Sequence, residues 1–235
     1  MNNEMNQTIE QNKPDSNNQP TSNASCLMPD GCSVKTIIFD WGGVLIDPPA
    51  ANIINYCSRV TGISGEDFMN AYRQIEFDFY RGTISEPQLW QHICSVNGID
   101  TPAECLNEGR SKWLMAFDTA YKPRPEMFKI IADLKNNGYK IGLLSNAELP
   151  VLTYFEEEIY EDFDFSVFSC IEQMAKPDAE IYHLAAEKAQ MPAEKCLFVD
   201  DKEENTNAAE KIGMKAIHFK NFDDFKEKLL LLCQI

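Results

Sequence analysis

Nowhere does the sequence hold an apolar run near the ~18 residues that a membrane-spanning helix needs, and Leu229 to Cys233 is far too short. Positive charge is scarce. The chain carries 21 Lys and Arg against 37 Asp and Glu, a net charge of −16. A nucleic-acid groove needs a positive field, so that class of partner is excluded. Only three histidines occur, His92, His183 and His218, and their spacing offers no metal set. The eight cysteines include no C-x-x-C pair. There is no basic start followed by an apolar stretch, so no secretion signal is expected. The thiols are then expected to be reduced in a cytoplasmic protein, with several of them buried. Phosphate loops of the G-x-x-x-x-G-K-[S/T] type, H-E-x-x-H and G-x-S-x-G are all missing.

What remains is an ordinary globular composition in 235 residues, 44% hydrophobic and 25% charged, with enough apolar mass for a real core. Residues 1–33 stand apart. They are rich in Asn, Gln, Ser, Thr and Pro and cannot offset their ordering entropy, so a disordered polar tail is expected. From Val34 onward, buried-strand patterns alternate with helical ones. The strands are expected near 34–40, 139–146, 165–169, 195–201 and 214–219, and the helices near 125–137, 178–190 and 203–212. This alternation predicts an α/β fold with a Rossmann-like parallel sheet and right-handed crossovers. Ligands of such sheets bind at the carboxyl ends of the strands. Three expected strands end there in Asp40, Ser145-Asn146 and Asp200-Asp201.

Residues 48–122 break the rhythm with helices only, expected at 50–61, 65–80, 86–96 and 102–117. They read as a helical cap inserted into a core made of 34–47 and 123–235. A helical dimerisation module is the plainer alternative, and the chain is expected to be a monomer or a homodimer.

Phe39-Asp40-Trp41-Gly42-Gly43-Val44-Leu45-Ile46-Asp47, Leu144-Ser145-Asn146, Lys176-Pro177 and Phe198-Val199-Asp200-Asp201 with Asn205 stand in order along the chain. Together they resemble the four motifs of the haloacid dehalogenase superfamily, and the resemblance extends over about residues 34–220. The insertion after the first motif looks like the cap of subfamily I. The segment Tyr80 to Ser85 followed by Leu89-Trp90 is similar to bacterial sugar-phosphate (glucose-1-phosphatase-like) phosphatases of that group. The resemblance implies a Mg²⁺-dependent phosphoric monoester hydrolase acting on a small phosphate ester, a sugar phosphate among the candidates, through an aspartyl-phosphate. Asp40, Ser145 and Lys176 are then the catalytic groups. Asp40, the Gly42 carbonyl, Asp200 and Asp201 are the metal ligands. Trp41, Ser145, Asn146 and Lys176 bind substrate, and Asn205 holds the Asp200 loop.

The residue types make chemical sense on their own. A carboxylate nucleophile must approach a phosphate dianion, and two unit charges ~4 Å apart at an effective dielectric of ~20 repel by about 4 kcal/mol. A divalent cation on paired carboxylates plus one ammonium answers that cost. Each group also has a plainer reading. Asp40 could cap a turn, Asp200-Asp201 could cap the next helix, Ser145-Asn146 could form a simple turn, and Lys176 could be solvated.

One position departs from the pattern. The phosphatases it resembles carry a second Asp two residues after the nucleophile, as acid and base, and here that position is Gly42. Three readings follow. The chain is a phosphatase that favours good leaving groups, with Asp47 as a candidate substitute acid. Or it is a non-catalytic or regulatory binding protein on the same fold. Or it is a metal-independent 2-haloacid dehalogenase, which the Asp200-Asp201 pair argues against. Arg73, Arg81 and Trp113 are candidate cap residues at the mouth.

Overall fold

The computed structural model describes residues 33–106 and 109–233. The polar tail expected for residues 1–33 lies outside these, apart from Ser33. No helix among the described residues is long and apolar enough to cross a membrane.

The sheet is built from β1 (Thr36–Phe39), β2 (Lys140–Ser145), β3 (Phe165–Phe168), β4 (Cys196–Asp200) and β5 (Lys215–His218). Its order is β3-β2-β1-β4-β5, with every pairing parallel. β1 is therefore central, and the chain leaves it for β2 on one side and β4 on the other. That reversal opens a crevice at the carboxyl edge. Register sets what the crevice holds. Phe39 stands opposite both Leu143 and Val199, so the next residues, Asp40, Leu144 and Asp200, share one level.

The strands are apolar on both faces because helices cover both. Ile37 and Phe39 face α7 (Pro125–Asn136) and α11 (Phe222–Cys233), packing with Met127, Ile131, Phe225 and Leu229. Phe39 meets Phe225 edge-on at 6.1 Å. Ile38 faces the other way, toward Ile181 and Tyr182 of α9 (Ala179–Ala189) and Ala208 and Ala209 of α10 (Glu203–Lys211). The short helix α8 (Ser169–Glu172) follows β3 directly. α11 is absent from the sequence reading. Its Phe225, Leu229 and Cys233 stripe is buried at helical spacing, but the five-residue apolar end drew attention away from it.

Between β1 and α7 lie α1 (Ala50–Thr61), α2 (Gly65–Tyr72), α3 (Glu76–Tyr80), α4 (Glu86–Val96), α5 (Ala103–Leu106) and α6 (Lys112–Asp118), with no strand among the described residues. α1 and α4 have the expected bounds. The helix expected over 65–80 is two helices. The break lets Tyr72 stack on Trp113 (5.3 Å, 17°) while Phe79 meets the same indole edge-on (5.2 Å, 89°). The helix expected over 102–117 is also two, because Ser111 starts a new one by accepting from the Leu114 N–H at 2.8 Å. These helices touch the sheet layer at Arg81, which ion-pairs with Asp178 at 2.6 Å. They also touch it at Gly82, whose φ of +66° brings it against the Cys170 carbonyl, where a Cβ would sit 2.7 Å from that oxygen.

Candidate active site

Asp40 directly follows β1 and is only 7% exposed. Its backbone N–H donates to the Val199 carbonyl at 2.8 Å, and the Trp41 N–H donates to its Oδ1 at 2.7 Å. From the loop after α8, Lys176 enters the same space. Its Nζ lies 2.7 Å from Asp40 Oδ1 and 2.7 Å from Asp200 Oδ2, and donates to the Leu144 carbonyl at 3.2 Å. At 2% exposure it is no solvated lysine.

Lys176 is held from behind. The Asn146 carboxamide accepts from the Lys176 N–H and donates to the Lys176 carbonyl, both at 2.9 Å. Asn146 lines the cavity, yet its side chain is committed to fixing this lysine. Asp200 is fully buried. Its Oδ1 accepts from the Lys202 N–H (2.8 Å) and Asn205 Nδ2 (3.1 Å), and its Oδ2 from Asn205 Nδ2 (3.0 Å) as well as Lys176. Asn205 thus orients Asp200.

Asp40, Asp200 and Asp201 each offer an oxygen within 4.8 Å of the others. Asp201 Oδ1 is buried with no hydrogen-bond partner among the described residues. The fit of Asp201 depends on Gly43. This glycine sits at φ +84°, and a Cβ there would lie 2.2 Å from Asp201 Oδ2. Burial pushes the Asp40 carboxyl up to about 7, with Asp200 and Asp201 adding to the rise and Lys176 opposing it. Burial, and then Asp200, also raises Asp201. Burial pulls Lys176 down, but Asp200 and Asp40 outweigh it and its pKa lies above the ordinary value. The lysine is therefore an ammonium facing three carboxylates, and the deficit of positive charge is what a divalent oxygen-binding cation supplies. The donor set fits Mg²⁺: all-oxygen, acidic, with one buried carboxylate oxygen lacking a partner.

A cavity of about 270 Å³ opens above this cluster, and Asp40, Trp41, Gly42, Ser145, Asn146 and Asp201 form its floor. The walls come from the inserted helices, among them Phe68, Tyr72, Tyr80, Trp113 and Phe117. The Trp41 ring lines the cavity while stacked on Phe117 at 4.9 Å and donating from Nε1 to Tyr160 Oη at 2.7 Å.

Of the cap candidates, Trp113 lines the cavity and the two arginines do not. Arg73 is exposed on α2's end, and Arg81 is used by Asp178. Asp47 is corrected as a substitute acid. It is absent from the cavity wall, and it ion-pairs with Lys122 (2.8 Å) and Arg124 (3.0 Å). Hydrogen bonds from Lys122 and Arg124 lower its pKa, the wrong direction for a proton donor. Of the histidines, His183 is exposed, His92 lies within α4, and His218 Nε2 sits 3.0 Å from the Asp201 carbonyl oxygen. Sequence reasoning missed Glu148 and Lys202, both on the cavity wall. Each stands beside a motif, three residues after Ser145 and one after Asp201, and adjacency was the available signal.

Residues 34–213 match the family model described as haloacid dehalogenase-like hydrolase. A sesquiterpene phosphatase of Aspergillus oryzae is 27% identical over 188 residues, covering 78% of this chain and 89% of that protein. A D-ribitol-5-phosphate phosphatase of Bacteroides thetaiotaomicron is 22% identical over 209 residues, covering 85% of this chain and 98% of that protein. A HAD family enzyme of the same bacterium, crystallised with magnesium and inorganic phosphate, superposes with a TM-score of 0.62 at 22% identity, over 80% of this chain and 94% of that one. At this identity the last likeness speaks to fold alone.

Proposed function

Because the chain belongs to the haloacid dehalogenase-like hydrolases over residues 34–213, we propose that it hydrolyses a small phosphomonoester in a Mg²⁺-dependent reaction through a phosphorylated Asp40. The observation that carries this reading is Lys176, a fully buried ammonium 2.7 Å from both Asp40 and Asp200, at the edge of a three-carboxylate cluster under a cavity. No turn cap or helix cap requires a buried lysine between two aspartates. Breaking such a pair costs about 3–5 kcal/mol, so its partners must all be present for the arrangement to persist. The phosphatase names of the relatives, and the magnesium and phosphate in the neighbour's crystal, support the same reading.

In this reading Asp40, Asp200, Asp201 and the Gly42 carbonyl would hold Mg²⁺, and the ion would supply positive charge against the phosphoryl oxygens. Asp40 attacks phosphorus with one carboxylate oxygen while the bond to the leaving oxygen breaks. Lys176 stays charged, holds Asp40 in line and offsets the repulsion between the two anions. Ser145 and the Trp41 and Asn146 N–H groups border the place where the phosphoryl oxygens sit. Water then attacks the phospho-aspartate, breaking its P–O bond to return Asp40 and release inorganic phosphate. With Gly42 in place of an acid, no side chain on the floor protonates the departing oxygen, so esters with good leaving groups are favoured. The Asp200-Asp201 pair speaks against the metal-independent dehalogenase, and that pair with Asp40 and Lys176 speaks against a purely binding role. Six described cysteines are buried, which fits the cytoplasmic location that is part of this reading.

Phosphate release from a panel of esters, with and without Mg²⁺, tests this beside Asp40→Asn. Release that needs both Mg²⁺ and Asp40 is expected. Release unaffected by EDTA, or retained in Asp40→Asn, overturns it.

A further inference from the structure

The floor of the cavity is accounted for by phosphate chemistry, and the wall that rises from it begins on carbon. A Cβ placed on Gly42 would lie 3.5 Å and 3.7 Å from Cδ and Cγ of Pro49, so a proline ring bounds the space beside the nucleophile. From Pro49 the wall runs along the first two turns of α1 to Ile54 and on to Met69 of α2. Ile53 is taken up by the core, whereas Ile54 and Met69 are half-buried on the cavity wall. A Cβ at Gly65 would lie 3.0 Å from Ile54 Cγ2, so α2 abuts that side chain and fixes it. The polar wall groups are committed or wet. Glu148 accepts from the Tyr72 hydroxyl at 3.5 Å with the Trp113 indole beside it, and the Asn146 carboxamide holds Lys176. Glu76 is half-buried and Lys202 exposed, so solvent reaches both.

We infer that the substrate's leaving group is a compact apolar alcohol or phenol rather than a polyol, and that Ile54 and Met69 select it. A hydroxyl laid against Pro49, Ile54 or Met69 gives up water and gains no partner there, which disfavours binding. A methyl or methylene in the same place leaves water for carbon, which favours it. Each hydroxyl of a sugar phosphate turned to this wall therefore counts against it, and each carbon of a hydrocarbon body counts for it. Size sets the limit. An apolar cavity of about 150 Å³ holds a benzene ring, so about 270 Å³ leaves room for a phosphoryl group and roughly one ring beside it. The inference rests on the phosphatase reading and adds the class of alcohol that is released.

The test uses phenyl phosphates carrying ethyl or hydroxymethyl at the 3 or 4 position, pairs closely matched in size and leaving-group pKa that differ by a methyl against a hydroxyl. Wild-type enzyme with Mg²⁺ is expected to prefer the ethyl ester at one position or both by about tenfold or more in kcat/KM, chiefly through KM, as an apolar pocket allows. Ile54→Thr and Met69→Gln, which place a polar group on the wall, should each lower that ratio, and the double variant should bring it near one. Ile54→Val and Met69→Leu, which keep the wall apolar, should retain it. Pentyl phosphate should likewise be turned over with a lower KM than a five-carbon polyol phosphate, both being esters of primary alcohols. Wild-type ratios near one or favouring hydroxymethyl, a polyol phosphate bound better than pentyl phosphate, or ratios unmoved in the double variant overturn the inference while leaving the phosphatase reading intact. No phosphate release from any ester by the wild type removes the phosphatase reading and the inference with it.

Discussion

Gly42→Asp restores the carboxylate that the resembled phosphatases carry, and the structure has room for it. Gly42 lines the cavity beside Asp40, and its backbone is not in the left-handed region that only glycine accepts cheaply. A Cβ there would lie 3.5 Å and 3.7 Å from the Pro49 ring, ordinary van der Waals contact. Steric strain is therefore small. The cost is electrostatic. A fourth carboxylate ~5 Å from Asp40 at an effective dielectric of ~20 adds about 3 kcal/mol of repulsion for each charged neighbour. Mg²⁺ offsets most of this, so the variant should lose stability without the metal and regain it with Mg²⁺ present.

The gain belongs to the leaving group. A positioned general acid is worth roughly 10²–10⁴ in rate when the departing oxygen needs a proton. It is worth little when the leaving group departs readily as an anion. Across esters whose leaving-group pKa spans aryl to alkyl alcohols, wild-type log(kcat/KM) should fall steeply with leaving-group pKa. Gly42→Asp should flatten that slope, raising alkyl phosphates by ~10²-fold and aryl phosphates by less than about threefold. A uniform change across the series, or an unchanged slope with the variant folded and Mg²⁺ bound, refutes the idea that the missing acid limits this enzyme.

Lys176→Met should lower kcat by about 10³-fold or more with Mg²⁺ saturating, since it removes the buried charge beside the nucleophile; activity within tenfold of wild type would contradict its role. Asn205→Ala frees Asp200 from its two hydrogen bonds and should weaken Mg²⁺ binding by about 10–100-fold, read by metal titration of activity. Glu148 also predicts a pH effect on stability. Its folded pKa of about 7 lies above the ordinary 4.5, so its contribution is fully present below pH ~4.5 and is lost as pH rises through about 7. Glu148→Gln should remove a loss of about 3 kcal/mol over that window, with Glu76, Tyr72, Tyr80, Cys170 and Lys202 unchanged around it; chemical denaturation at pH 5 and pH 8 measures the difference.

The sheet was legible because a strand buried on both faces leaves an uninterrupted apolar run, as Ile37-Ile38-Phe39 and Leu197-Phe198-Val199 do. The chemistry at its edge was legible because parallel strands in register deliver their last residues to one crevice. Asp40, Lys176, Asp200 and Asn205 lie together there, each part of a motif that the family resemblance singles out. The helices over residues 50–118 outnumber those the sequence pattern suggests, since the breaks at 73–75 and 109–111 answer to packing on Trp113 and to the Ser111 cap. Periodicity carries neither signal strongly. Arg73, Arg81 and Asp47 were misplaced for a related reason. A charged residue near a motif in sequence is drawn by the nearest opposite charge in space, and Asp178 and Arg124 were that charge. Glu148 went unseen because a lone acid in a short linker reads as solvent-facing until the aromatic roof above it is known.

The same distinction between local and summed charge explains how a chain of net charge −16 can work on an anion. Exposed carboxylates act through water and are screened beyond about 8–10 Å at physiological salt. Lys176 acts on Asp40 from 2.7 Å with almost no water between. The cluster is nonetheless short of positive charge, and burial, with Asp200 and Asp201 adding to it, pushes the Asp40 carboxyl up to about 7. On the function proposed, such a site would bind a dianion poorly by itself and well once a divalent cation has entered. The acidic surface then has a use, since it disfavours anions at every point except the one where metal and ammonium converge. Metal binding before substrate follows from that order of charges, and substrate affinity should collapse with Mg²⁺ removal far more than with added salt.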